Sequence, residues 1–202
     1  MGNGFKHFIL ITKHRHQVIR NGFHLGIFFH CLKHDLSKYS HYEFSRSKIH
    51  YKGISSPVFE ERKFNDGYSE IAVHHTSINK HHFEYYIDFF RGYALIKPIP
   101  FKYMLEYVAD MLAASKTYDK KNFSGKTVYD YFVKREQYYL MHPGCIEFVK
   151  ACFLRYEESK WKNLKKRDTK KLYEECIKKY KPVYIYKMEK IEDDPKEILY
   201  GK

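Results

Sequence analysis

Cysteine is scarce in this chain and poorly spaced for chemistry. The four residues, Cys31, Cys145, Cys152 and Cys176, form no C-x-x-C pair, which excludes a zinc knuckle and gives no disulfide framework. Free thiols in a reducing compartment are the expectation. No stretch approaches the ~20 consecutive apolar residues of a membrane-spanning helix. Lys6, His7, Lys13 and His14 interrupt the N-terminal region where a secretory signal needs an apolar run. Gly2 follows Met1, but Lys6 stands where a myristoylation signal wants Ser or Thr. A soluble, cytoplasmic protein without a membrane partner is therefore expected. There is no internal repeat and no low-complexity tract. Acidic residues are also short: 24 against 37 Lys and Arg, a net charge of +13. That balance favours anionic partners such as nucleic acid or nucleotides, although an AT-rich genome produces the same lysine excess.

The 202 residues suffice for one domain with a real core. At 44% hydrophobic the chain is not disordered, and 18% aromatics point to an aromatic-packed core. Apolar spacing predicts helix over 5–29, broken at Asn21-Gly22, and a buried helix from Gly26 to Leu36. A short amphipathic turn or helix follows from Tyr39 to Phe44. Lys52–Gly67, with Gly53, Ser55-Ser56-Pro57 and Asn65-Asp66-Gly67, reads as a loop, either a lid or a plain connection. Further helices are predicted over Tyr68–Tyr93, Phe101–Tyr118, Val128–Leu140, Cys145–Leu164 and Thr169–Tyr180. Lys97-Pro98-Ile99-Pro100 separates the first two, because proline cannot donate inside a helix. Val183–Tyr186 is β-branched and aromatic and reads as an edge strand or extended tail, and the charged segment 189–202 reads as frayed. The architecture expected is all-α: one helical domain over 1–181 and a tail over 182–202.

Four polar clusters stand out against this background. The adjacent His34-Asp35, followed by Lys38, cannot share a helix face, since neighbours are about 100° apart. At a helix end, where the backbone turns, both can reach one metal ion. His14 lies one turn before Val18 and can face inward. His75, Asn79 and His82, at i, i+4 and i+7, would share one face of the predicted helix 68–93. Glu106 and Asp110, at i and i+4, repel each other unless a cation or imidazole lies between them. Mixed imidazole and carboxylate suits a divalent Mn, Fe, Co, Ni or Zn ion, one or two per site.

The order His14 … His34-Asp35 … Asp110, with Leu36-Ser37-Lys38 after the doublet, resembles the HD-domain superfamily of metal-dependent phosphohydrolases, which bind metal on a helical bundle. His-Asp-Leu-Ser-Lys (34–38), His-x-x-x-Asn-x-His-His (75–82) and Glu-x-x-x-Asp (106–110) also resemble a narrower family of small bacterial and phage proteins of unknown function. The likeness covers about residues 8 to 118. It implies that His14, His34, Asp35 and Asp110 hold a first ion. It further implies that His75 and His82 hold a second ion or orient phosphate. Lys38 would neutralise phosphate charge, Glu106 would serve as general base or orient a ligating histidine, and Asn79 joins them as a catalytic candidate. The gap from His14 to His34 is shorter than in many HD domains, and nothing after residue 120 contributes.

The function expected is hydrolysis of a nucleotide or other small phosphoester by a metal-activated water. The alternative is a non-catalytic nucleic-acid-binding or interaction protein. Its contacts would lie at Lys165, Lys166 and Arg167, in a basic stretch interleaved with Trp161, Tyr173 and Tyr180. Glu157, Glu158, Glu174 and Glu175 partly cancel that field.

Overall fold

The computed structural model describes residues 3–189, so the segment expected to fray lies outside the described residues except for Glu189. The described residues are mostly helical, with one small three-stranded sheet. No described helix is long and apolar enough to cross a membrane.

Helix α1 (Asn3–His24) buries His7, Ile11, His14, Val18, Asn21 and Gly22. These recur every three or four positions, so they form one face, and three of them are polar. The break predicted at Asn21-Gly22 does not occur there. Asn21 donates to the Ala109 carbonyl at 2.9 Å. Gly22 lets α2 (Phe28–Cys31) approach so closely that a Cβ would stand 2.4 Å from Cys31 Sγ. The chain turns instead at Gly26, whose φ of +70° is costly for any residue with a Cβ.

The predicted helix 26–36 is reduced to α2, followed by turns and a 3₁₀ turn over Leu36–Tyr39. Helix α3 (His41–His50) comes next, capped by Ser40. The expected loop 52–67 is largely helix α4 (Pro57–Phe64). Ser56 Oγ accepts from Phe59 N, and Pro57 occupies the first turn, where its missing donor costs nothing. Glu60 then binds Ser55 and Lys52, fixing the approach to the helix.

The predicted helix 68–93 is also corrected. Only α5 (Glu70–Ile78) is helical, beginning at the Ser69 cap. After a 3₁₀ turn at Phe83–Tyr86 the chain forms a hairpin of β1 (Ile87–Phe90) and β2 (Tyr93–Ile96). Arg91 and Gly92, both at positive φ, make its two-residue turn. The predicted edge strand is present as β3 (Tyr184–Lys187), antiparallel to β2 in the order β1-β2-β3.

Helix α6 (Phe101–Tyr118) has the bounds expected from its pattern and is buried nearly all round. Met104, Leu105, Val108 and Leu112 enter the core with Val128 and Phe132 of α7 (Gly125–Arg135). Phe148, Cys152 and Phe153 of α8 (Pro143–Ser159) complete that core. Helix α9 (Lys166–Ile177) packs on α8. Each fully buried Phe contributes about 1.5–3 kcal/mol by leaving water. This core holds α6 against α1 and so fixes the two helices that carry Glu106, Asp110 and His14.

Candidate metal centre

The doublet's geometry begins with its backbone. Asp35 has φ 49° and ψ 32°, the left-handed region, between α2 and the 3₁₀ turn. That reversal brings both neighbours to one point: His34 Nε2 lies 3.3 Å from Asp35 Oδ2. Arg15 of α1 holds the turn by donating to the carbonyls of His34 and Leu32. Lys38, one turn on, forms an ion pair with Asp35 Oδ2.

Around the doublet the chain assembles two groups of donors. In the first, His14 Nε2 lies 2.9 Å from Asp110 Oδ1, which is 3.8 Å from His34 Nε2. In the second, Asp35 Oδ1 lies 3.3 Å from His75 Nε2 and 3.6 Å from His81 Nε2. The His81 and His82 rings are 4.2 Å apart. His14, His34 and Asp110 each offer a ligand atom within 4.8 Å of the other two, and Asp35, His75, His81 and His82 do the same. Asp35 thus turns one oxygen toward each group. His34, His81 and Glu106 make a third such set.

Carboxylates behind the histidines fix their orientation. Glu106 accepts from His34 Nδ1 at 2.9 Å and His30 Nε2 at 2.7 Å. Glu43 stands 3.1 Å from His75 Nδ1 and 2.9 Å from His74 Nδ1. Burial opposes ionisation of Glu106, but His30 and His34 outweigh it and hold its carboxyl at about 2. An ionised Glu106 requires a proton on His34 Nδ1, so Nε2, which faces Asp35 and Asp110, is the atom that takes up either the imidazolium's second proton or a metal ion. This carboxylate–histidine arrangement is the usual support of a metal-ligating imidazole.

The same electrostatics set the other groups. Burial disfavours charge on Asp35, yet His34, Lys38 and His75 hold it well below the ordinary carboxylate range. Asp110 is likewise lowered, burial being outweighed by His14 and His34. Burial lowers His81 to about 4, and burial with neighbouring His81 and His75 lowers His82 strongly. Both rings are therefore neutral near pH 7, the state that donates to a metal.

A metal ion fits this donor set. Seven buried side-chain atoms among the described residues make no hydrogen bond, and four of them are donors of this cluster: His34 Nε2, Asp35 Oδ1, His81 Nε2 and His82 Nε2. Folded proteins leave few such atoms orphaned, and a divalent cation satisfies several at once. Nitrogen and carboxylate donors suit Mn, Fe, Co, Ni or Zn.

His14, His34, Asp35, Asp110, His75 and His82, expected from the sequence as ligands, are thus brought together, with Lys38 and Glu106 beside them. They do not meet as expected in two respects. Asp35, expected with His14, His34 and Asp110, groups instead with His75, His81 and His82 and touches only His34 of the first set. His75, Asn79 and His82 share no helix face, because α5 ends at Ile78 and Asn79 is its extended C-terminal cap. The chain reverses there, and His81 and His82 return toward His75. Asn79 Nδ2 donates to Ser37 Oγ at 3.0 Å and to the His75 carbonyl at 2.9 Å, tying this reversal to the 3₁₀ turn. His81, Glu43 and His30 were not singled out by spacing. Only the doublet His81-His82 offered a signal. Lys165, Lys166 and Arg167 are exposed at the start of α9 and contribute nothing to this cluster.

Fold and site together define a mostly helical protein whose α1 and α6 enclose a buried histidine–carboxylate cluster with the make-up of a metal centre. The chain belongs to DUF5662, a family of unknown function whose model matches residues 4–176. Every cluster residue falls within that span. No curated protein and no solved structure matches the chain.

Proposed function

We propose that this protein is a metal-dependent phosphohydrolase of the HD type, acting on a nucleotide or other small phosphoester. The observation that carries the reading is that His14, His34 and Asp110, from separate segments, form one donor group with Asp35 beside His34, in the chain order of that superfamily. A loaded centre supplies water of lowered pKa and polarises a phosphoryl oxygen. The chain's own residues do the rest. Asp35 faces both donor groups, Glu106 keeps His34 in one tautomer, and Glu43 stands behind His75 in the same way. Lys38 places a positive charge at the cluster's edge, where it offsets charge on phosphate oxygens. Beside it lies a cavity of about 230 Å³ lined by His14, Lys38, His75, His82 and Asp110, a seat for an anionic group next to the donors.

Elemental analysis of protein purified without chelator, with a phosphate-release screen over nucleotides and simple phosphomonoesters, tests the proposal. Stoichiometric transition metal and release that disappears in Asp35→Ala are expected. Absence of bound metal, with no thermal stabilisation by Mn, Co, Ni or Zn, overturns it. Metal without release, together with nucleic-acid binding weakened by charge reversal at Lys165, Lys166 and Arg167, would instead favour the binding-protein reading.

A further inference from the structure

The cavity beside the metal centre extends beyond the donors, and its remote part contains a polar group that the chemistry above does not use. His7 lines it, two turns before His14 on the same face of α1, about 10 Å along the helix axis. The ring is 3% exposed. It stacks on Phe44 with centroids 5.5 Å apart and lies 5.1 Å from the Tyr51 ring. His7 Nε2 is 2.8 Å from Ser47 Oγ, which also lies 3.3 Å from the Phe44 carbonyl. When Ser47 donates to that carbonyl it accepts from Nε2–H, and in that tautomer Nδ1 keeps a lone pair. Nδ1 is buried and makes no hydrogen bond. Burial, aided by the Lys38 charge, lowers the imidazolium to about 4, so the ring is neutral at pH 7.

Leu10, Ile11, Pro57, Val58, Ile71 and Ala114 give the cavity much apolar lining, with Ser56 and Tyr118 also on it. Lys38 is the sole Lys or Arg on the lining, and Glu43 also lines it. One cation beside the metal donors balances one phosphoryl group, whereas a second or third phosphate would meet apolar wall or the Glu43 carboxylate.

We infer that His7 Nδ1 is the specificity-determining acceptor of a substrate subsite. The subsite takes a phosphomonoester with a compact, single-ring, apolar-faced body and an N–H or O–H donor at the end remote from phosphorus. This inference rests on the phosphoester reading for the anionic end and adds His7 as the group that reads the other end. An acceptor walled by aromatic and aliphatic side chains discriminates strongly, because a ligand lacking the donor leaves it unpaired.

Binding rather than turnover tests the subsite, so that its failure and that of the hydrolase reading are separable. Calorimetric titration of the Mn-loaded full chain with 4-aminobenzylphosphonate and its 4-methyl isostere compares a donor with a methyl group of similar size. Wild type is expected to prefer the amine by about tenfold. His7→Phe, which keeps an aromatic ring against Phe44 and Tyr51, should bring the ratio to about one without changing metal content. Ser47→Ala keeps the imidazole but frees its tautomer, and should reduce the ratio, which keeps the test open should His7→Phe not fold. Equal binding of the two phosphonates by wild type, no binding of either, or a preference that persists in His7→Phe overturns the inference. Tighter competition by UDP than by UMP overturns its single-phosphoryl part. Donor preference without phosphate release from any monoester sustains the subsite while removing the hydrolase reading, and release without donor preference does the reverse.

Discussion

The proton on His34 gives the sharpest test of the centre. Burial alone would lower the His34 imidazolium, but Asp35, Glu106 and Asp110 outweigh it and raise it from 6.5 to about 10. A group whose folded pKa is raised contributes stability that is complete below its unfolded pKa and is lost as pH rises through the folded value. Metal-free protein should therefore lose stability steadily above pH 6.5. One proton is worth about 1.4 kcal/mol per pH unit, so going from pH 7 to pH 9 removes about 3 kcal/mol, or roughly 6–12 °C of Tm for a chain of this size. His7, His81 and His82 act with the opposite sign, because burial lowers them. Their influence is nearly complete by pH 7, which is why the window begins there. Burial raises the Cys31, Cys145 and Cys152 thiols. Those thiols add loss of the same sign near the top of the window, with or without metal. The decisive quantity is the difference between two states. In loaded protein the His34 Nε2 lone pair faces a cation rather than a proton, and this part of the slope should vanish. Differential scanning fluorimetry of chelated and Mn-loaded protein at pH 7, 8 and 9 measures it. Parallel slopes would refute the assignment of His34 as a ligand, and a chelated Tm that rises with pH would refute the electrostatics behind it.

Further outcomes follow from the same geometry. Asp35→Ala should lose metal from both donor groups, whereas His81→Ala should lower the metal-to-protein ratio without emptying the His14–His34–Asp110 set; inductively coupled plasma analysis of both variants separates these. Lys38→Met should keep its metal and raise KM for a phosphomonoester about 10- to 100-fold, the worth of one charged hydrogen bond; an unchanged KM removes Lys38 from phosphate binding. Phe153→Ala, at a fully buried core position, should cost about 3–5 kcal/mol in denaturant unfolding while leaving metal content intact, because the core and the cluster lie on different faces of α6.

Where one helical period ran unbroken, as in 101–118, the sequence was readable to the residue, because α6 is apolar enough to be buried on nearly every side. The stretch 68–93 was misread for a physical reason. Its histidines and aromatics fit a helical wheel, but Ile87–Phe90 and Tyr93–Ile96 are equally good strand formers, and Arg91-Gly92 supplies the turn that pairs them. Local propensity was balanced there, and tertiary pairing with β3 decided it. The candidate ligands His14, His34, Asp35 and Asp110 could be picked out because their order in the chain is itself a pattern. Glu43, His30 and His81 were not, since each acts through a side chain from another segment. Glu43 lies 32 positions before His75, and no spacing rule joins them.

The error over 75–82 bears on how the centre works. Had His75, Asn79 and His82 stood on one helix face, they would have formed a stripe about 10 Å long, too extended for one ion. Ending the helix at Ile78 folds that stripe back on itself, so that His75, His81 and His82 can face Asp35 together. The doublet obeys the same logic: neighbours that a helix would point about 100° apart are turned onto one site by a left-handed Asp35. Aspartate enters that conformation more readily than most side chains, and here it sets Oδ1 beside His75 and His81 and Oδ2 beside His34 and Lys38. Breaks in regular structure at Asp35 and Asn79, rather than the helices between them, therefore create the candidate centre, while α1 and α6 provide the fixed walls against which those breaks are aimed.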